Sequence, residues 1–442
     1  MRAFCALGEV ARIRGIGPTS WYLISHPAGV EQVLARNAAG YRAPTSNLAA
    51  SLFGRGLIAA ESDSWLARSL ASPVLDTQRL TTVLAATVEA AEEVADGWEL
   101  AIRDGRAVDM VDEMRRLTLR ATSASALSLG AGPESDAFGR SLLDALRILD
   151  RRPTELSAPG IASTRRNWRA LQARGVLDHL LLELIRNRRD SGRSRPDLLG
   201  ALIRTRAAGS GERLDDARLR AELFALLLAG SDTAATILAW SWELLARHGD
   251  VLRALQTEAD EVLGLRAVTP DDLARLPYAR AVVDETLRLY PPSWGLPREA
   301  VVPDEIAGYR IPAGALIVLC RWVTHRRAEI WDDPARFDPT RFLGEAPPRT
   351  PFAYYPFGGA ARGVAAELAA TIAQATLATL ARDFDVTSAA EGNVEPEASF
   401  TLRPRSPLRL HVARRFAAAT DADDSVGQAV FLPEPEFVCV TA

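Results

Sequence analysis

The sequence predicts a mostly helical fold with a small β-rich region, and three observations carry that prediction. Long segments repeat apolar residues every three and four positions, the spacing of one helix face. One of them, Leu214 to His248, would run for about 50 Å at a rise of 1.5 Å per residue, enough to cross a whole domain. Short β-like runs broken by Gly and Pro stand near the N-terminus and again between Ile306 and Leu319.

Taken in order, Trp21-Tyr22-Leu23-Ile24 is a β-like run that stops before His26-Pro27, and Ala28 to Asn37 has helical spacing. Leu80 to Trp98, Arg106 to Leu129 and Asn167 to Arg189 each read as amphipathic helices. Between the last two, Arg151-Arg152-Pro153 and Ala158-Pro159-Gly160 are loop signals, and Gly192 to Asp197 is a further polar break. The centre of the longest helix, Phe224 to Gly230, is apolar on all sides, as expected of a buried helix. Pro277 to Tyr290 is a helix halted by Pro291-Pro292. Ile306 to Leu319 reads as a hairpin interrupted by Gly308 and Pro312-Ala313-Gly314, and Glu367 to Arg382 is again helical. No internal repeat or inter-domain linker is visible, so residues 1–415 are expected to form one domain. Residues 416–442 are Ala-rich and acidic and read as a tail.

Composition narrows the function. A chain of 442 residues that is 48% hydrophobic can bury a large core and is not generally disordered. Its 52 basic residues, all arginine, nearly balance 56 acidic ones, which gives no nucleic-acid signal. Cys5, Cys320 and Cys439 are far apart and form no metal-ligand spacing, so no metal site is expected. There is no signal peptide and no apolar run of roughly 20 residues. The expectation is a soluble, cytoplasmic protein with no membrane anchor.

Five segments then point to one family. They are Ala229-Gly230-Ser231-Asp232-Thr233 in the long helix, Glu285-Thr286-Leu287-Arg288, Pro334-Ala335-Arg336-Phe337, the run Phe357 to Ala366, and Trp65 with Arg68 and Ser69 after it. In this order they resemble the motifs of the cytochromes P-450, over about Gly8 to Arg414. The resemblance implies that family's fold. It implies that Glu285, Arg288 and Arg336 form a buried structural triad. It also sets Ala229 and Gly230 where a ligand approaches the helix, and makes Asp232 and Thr233 a proton-relaying acid and alcohol. Arg298 and Arg362 match positions that pair with haem propionates, and so become candidate anchors for an anionic group of a ligand.

The same resemblance exposes departures. The family's loop carries a cysteine whose thiolate is the axial iron ligand; here that place is held by Val364, which has no lone pair to give. Ala360 and Ala366 replace loop glycines and Ser69 replaces an arginine. His325 and Cys320 match no iron-ligand position. The expectation drawn from these losses is that no cofactor is bound, haem included. The chain would then be a haem-independent enzyme catalysing redox-neutral cyclisation or isomerisation of a hydrophobic natural-product intermediate, terpenoid or polyketide, with Asp232 as acid or base. Two alternatives stay open: a non-catalytic helper that binds and activates a glycosyltransferase as a biosynthetic partner enzyme, and a haem-binding monooxygenase with an unusual or missing axial ligand. Asp421-Ala422-Asp423-Asp424 fits the Asp-x-Asp-Asp pattern of some terpene cyclases but stands in the tail, where an acidic solvated run is the simpler reading.

Overall fold

The computed structural model of the chain describes residues 8–14, 20–42, 44, 77–129, 138–139, 141–142, 165–192, 195, 197–204, 213–344, 350–358, 363–390, 392, 394–398 and 401–415. In chain order the elements are β1 (Val10–Arg14), β2 (Ser20–Ile24), α1 (Pro27–Glu31), β3 (Tyr41–Arg42), α2 (Thr77–Arg103), β4 (Val108–Asp109), α3 (Met110–Leu127), α4 (Arg165–Asp190), α5 (Leu198–Arg204), α6 (Asp216–Arg247), α7 (Gly249–Leu263), α8 (Pro270–Leu273), α9 (Pro277–Leu289), β5 (Leu296–Ala300), β6 (Asp304–Ile306), β7 (Tyr309–Ile311), β8 (Leu316–Leu319), α10 (Arg321–Thr324), α11 (Gly363–Asp383), β9 (Phe384–Ser388), β10 (Pro396–Ala398), β11 (Leu402–Pro404) and β12 (Arg409–Arg414).

The long helices begin where side chains can satisfy orphan backbone N–H groups. Asp109 accepts from the Val111 N–H at 3.1 Å to start α3, and Asp215 accepts from the Arg218 N–H at 2.7 Å to start α6. The start of α9 carries Pro277 at its first position, and the Tyr278 and Ala279 N–H groups donate to Glu258 of α7 at 2.6 and 2.8 Å. The helix thereby receives its cap from a neighbour, and α7 is fixed to it.

The helix α6 packs along α3 and α11, and α2 closes on the same pair. The core between them is aliphatic with an aromatic corner: Trp98 meets Trp242 and Phe384 edge-on, at centroid distances of 5.4 and 5.3 Å. A five-stranded sheet runs β1-β2-β8-β5-β3, with β2 and β8 parallel and the other pairs antiparallel. A three-stranded sheet, β4-β12-β9, ties α3 to the strands following α11.

Most predicted helices match in place and type, with α2 starting earlier and α4 ending within a residue of expectation. Within Arg106 to Leu129, however, Val108–Asp109 form β4 and the helix begins at Met110, and Ala28 to Asn37 divides into α1 and a π-helix over Gln32–Arg36. The expected hairpin from Ile306 to Leu319 divides differently. The strands β6 and β7 pair around Ala307-Gly308, whereas β8 leaves them to lie between β2 and β5. Both outcomes place apolar residues inward, so alternation alone does not choose the partner strand. Among the described residues, no helix is long and apolar enough to cross a membrane. The tail 416–442 and its Asp421 to Asp424 run lie outside the described residues.

Candidate functional site

The Glu285–Arg288 pair sits one turn apart on α9, and both side chains are fully buried. Arg288 donates to the two carboxylate oxygens at 2.6 and 2.7 Å. Its remaining N–H groups donate to the carbonyls of His325, Pro334 and Arg336 at 2.8, 2.8 and 3.0 Å. All five donors of the guanidinium fork are thus used. The ring of Trp331 lies 5.0 Å from its centre.

The third member of this cluster differs from the sequence reading. Arg336 contributes its backbone carbonyl, and its side chain is exposed. The guanidinium beside Glu285 belongs to Arg341, with Nε 3.4 Å from the carboxylate. The signal for it was present: Pro339-Thr340-Arg341-Phe342 repeats the Pro-x-Arg-Phe pattern five residues after Pro334 to Phe337. Two equivalent motifs stand in tandem, and packing selects the second.

On α6, Asp232 and Thr233 take opposite environments. Thr233 is half-buried, whereas Asp232 is 3% exposed. The Asp232 carboxylate faces Arg115 of α3 at 3.6 Å and Arg403 of β11 at 3.8 Å. Neither distance is a hydrogen bond of ordinary length, and neither oxygen has a close donor. Burial pushes the Asp232 pKa up; the Arg115 charge and then the Thr401 hydroxyl pull it the other way. Arg403 is itself strained by burial and by Arg115, which push its pKa down to about 8. Thr236 and Ser231 return their hydroxyls to the carbonyls of Asp232 and Leu227 at 2.8 and 2.7 Å. The backbone-bonded hydroxyls of this helix are therefore Thr236 and Ser231.

Gly230 has a packing role as well. It is buried, and a Cβ there would stand 3.3 Å from Thr122 of α3 and 3.8 Å from Leu368 of α11. Its missing side chain also lets α6 approach α3 and α11 closely. Ala229 lies beside it on α6. Arg298 is on β5, half-buried, and donates to the Pro297 carbonyl at 2.8 Å. Arg362, Ala360, Trp65, Arg68 and Ser69 lie outside the described residues. Val364 falls in the first turn of α11.

The loop before α11 is shaped by Gly358. Its φ of +89° is left-handed, and a Cβ would meet Arg321 Nη2 and Leu296, each at 3.1 Å. Arg321 is buried and donates to the Ser293 carbonyl at 3.0 Å. Nearby, His325 Nε2 accepts from the Tyr355 N–H at 3.1 Å. Burial, then the charges of Arg321, Arg288 and Arg326, hold its pKa well below the usual range, so it is a neutral pin. Sequence reasoning missed Arg115 and Arg403, which no local pattern connects to Asp232.

With this geometry in place, comparison with known proteins is informative. A family model for Cytochrome P450 matches residues 1–412. Cyclooctatin synthase of Streptomyces melanosporofaciens is 31% identical over 416 residues, covering 92% of this chain and 87% of that protein. Pentalenene oxygenase of Streptomyces avermitilis is 31% identical and covers 94% of this chain and 92% of its own length. Cyclooctat-9-en-7-ol 5-monooxygenase of Streptomyces melanosporofaciens is 32% identical over 77% of this chain and 74% of its own. The crystal structure of the cytochrome P450DA heme domain superposes with a TM-score of 0.81 at 25% identity, covering 94% of this chain and 91% of that one.

These matches overturn the expectation that no cofactor is bound: the family and its solved structures are haem proteins. The described residues nevertheless do not assemble an axial ligand for haem iron. His325 is occupied by Tyr355, Cys320 is buried ahead of α10, and valine at 364 has no donor atom.

Proposed function

The chain belongs to the cytochrome P450 family, and on that premise we propose that it acts on a hydrophobic natural-product intermediate by proton transfer, giving a redox-neutral cyclisation or isomerisation. The relatives' names supply the substrate class: pentalenene is an alkene and cyclooctat-9-en-7-ol an unsaturated alcohol. A terpenoid intermediate of that kind carries a double bond that a buried acid can protonate.

One observation carries the reading. Asp232 holds its carboxyl in an almost closed space with no close hydrogen bond and with a raised pKa. A buried ionisable group in this state is expensive unless it has a task. In the proposed step Asp232 gives its proton to one alkene carbon, with the hydroxyl of its half-buried neighbour Thr233 as relay. Loss of a proton from another carbon restores the carboxylic acid, so the double bond moves or a ring closes with no net redox change. The fold contributes proximity and a dry environment. Arg298 and Arg362 are proposed as anchors where the substrate carries an anionic group.

A second reading has its own support, because the relatives are named as oxygenases. The experiment that separates them incubates purified protein with cyclic alkenes and alkenols, identifies products by mass, and measures haem content in the same preparation. An isomeric product of unchanged mass, lost in Asp232→Asn, supports proton transfer. A product heavier by one oxygen supports oxygenation. Activity that needs a second biosynthetic protein and ignores Asp232→Asn points to a helper.

A further inference from the structure

Arg403 reaches Asp232 from an element remote in sequence, and that element is firmly docked. The hairpin of β10 and β11 pairs Pro396 with Pro404 and Ala398 with Leu402. Leu402 is fully buried; its N–H donates to the Pro292 carbonyl at 2.7 Å, and its carbonyl accepts from Trp240 Nε1 at 2.9 Å. Trp240 stands on α6 two helical turns beyond Asp232 and stacks on Tyr290 at 3.9 Å. The next residue of the strand, Arg403, brings its guanidinium to the Asp232 carboxylate.

Resting on the assignment of Asp232 as the proton-transfer group, we propose that Arg403 is its positioning residue, and that docking of the β10–β11 hairpin on Trp240 sets how readily Asp232 holds its proton. The charged groups facing Asp232 are Arg115 from α3 and Arg403 from β11, with the Thr401 hydroxyl beside them. The two cations are not equivalent. Arg115 is fixed within a helix packed along α6, whereas Arg403 is carried by the β10–β11 hairpin, held there through Leu402. A cation within about 4–6 Å favours the carboxylate and lowers its pKa by roughly 1–3 units. Removal of the Arg403 charge is therefore expected to raise the pKa of Asp232.

The test reads the carboxyl directly. The infrared carbonyl band of wild type minus Asp232→Asn, followed across pH, reports the titration of Asp232 in the resting protein. Arg403→Met, which suits the buried site, is expected to move that midpoint upward by about one pH unit. Arg403→Lys keeps the charge and is expected to restore most of it. Trp240→Phe, which removes the donor that holds Leu402, is expected to shift the midpoint in the same upward direction by less. An unchanged midpoint in folded Arg403→Met overturns the proposal. Should Arg403→Met fail to fold, equal midpoints in wild type, Arg403→Lys and Trp240→Phe overturn it. A shifted midpoint together with turnover indifferent to Asp232→Asn leaves Arg403 in place and removes the proton-transfer reading instead.

Discussion

Glu285 and Asp232 are both buried carboxylates on helices, and both face arginine, yet their surroundings are opposite. Glu285 takes two hydrogen bonds from Arg288 and a third from the Asp338 N–H at 3.0 Å. Asp232 has cations at 3.6 and 3.8 Å and no close donor. A charge that is fully hydrogen-bonded in the interior holds neighbouring segments in register; here Arg288 joins α9 to the His325, Pro334 and Arg336 carbonyls. A buried charge left short of donors costs the fold stability, because its lost hydration is not made good by hydrogen bonds. Two acids in apolar helices thus differ in how fully their hydrogen bonds are met, which is the ground on which Glu285 is read as structural and Asp232 is proposed as reactive.

The largest effect is expected from breaking the complete site. Arg288→Ala leaves Glu285 buried without its main partner and is expected to cost about 3–5 kcal/mol, read as a large fall in thermal midpoint. A stable, folded Arg288→Ala protein with selectively lost activity would reverse the assignment. Asp232→Asn is expected to do the opposite: turnover falls by about 10²–10⁴-fold while the protein stays folded and substrate affinity holds. Retained turnover removes Asp232 from the reaction.

A sharper cut lies between the tandem arginines. Arg341→Ala is expected to destabilise by about 1–2 kcal/mol, since its cation stands beside a buried carboxylate. Arg336→Ala is expected to stay within about 0.5 kcal/mol, because only its main-chain carbonyl is used. Equal costs for the two would refute the choice of Arg341.

The smallest effects concern pH, and two carboxylates beside arginines have opposite signs. The folded pKa of Asp232 is raised, so its contribution to stability is present at low pH and is lost as pH rises from about 4 through the folded value. Asp272 is held well below the usual carboxylate range by hydrogen bonds, first from Arg266 and then from Thr269. Its contribution is present above about pH 4 and is lost as pH falls through the depressed value. Urea unfolding at several pH values is expected to show Asp232→Asn gaining on wild type as pH rises and Asp272→Asn losing. Parallel pH dependence in the two variants would show that the distinction between bare and bonded carboxylates is mistaken.

Local pattern made much of this protein legible. The three-and-four spacing located α2, α3, α4, α6, α9 and α11, because an amphipathic or wholly apolar helix must write its burial into consecutive residues. The motifs around Asp232, Glu285 and Phe357 identified the family for the same reason, since each is confined to a few neighbouring positions. The helix α7 was missed, although its apolar residues Val251, Leu252, Leu255 and Ala259 follow helical spacing and are buried. That omission was one of reading, not of signal.

What the amino-acid sequence determined alone was therefore the helical class, the family, the candidate acid Asp232 and the valine at position 364. Tertiary structure alone decided four further matters. It placed β8 beside β2 and β5, chose Arg341 over Arg336, turned Gly230 toward Thr122, and brought Arg115 and Arg403 to Asp232. The reason is physical. Helix periodicity and motif spacing depend on neighbours along the chain, whereas an ion contact between residues 232 and 403 depends on how a hairpin, two helices and a buried tryptophan pack. No local pattern encodes that arrangement.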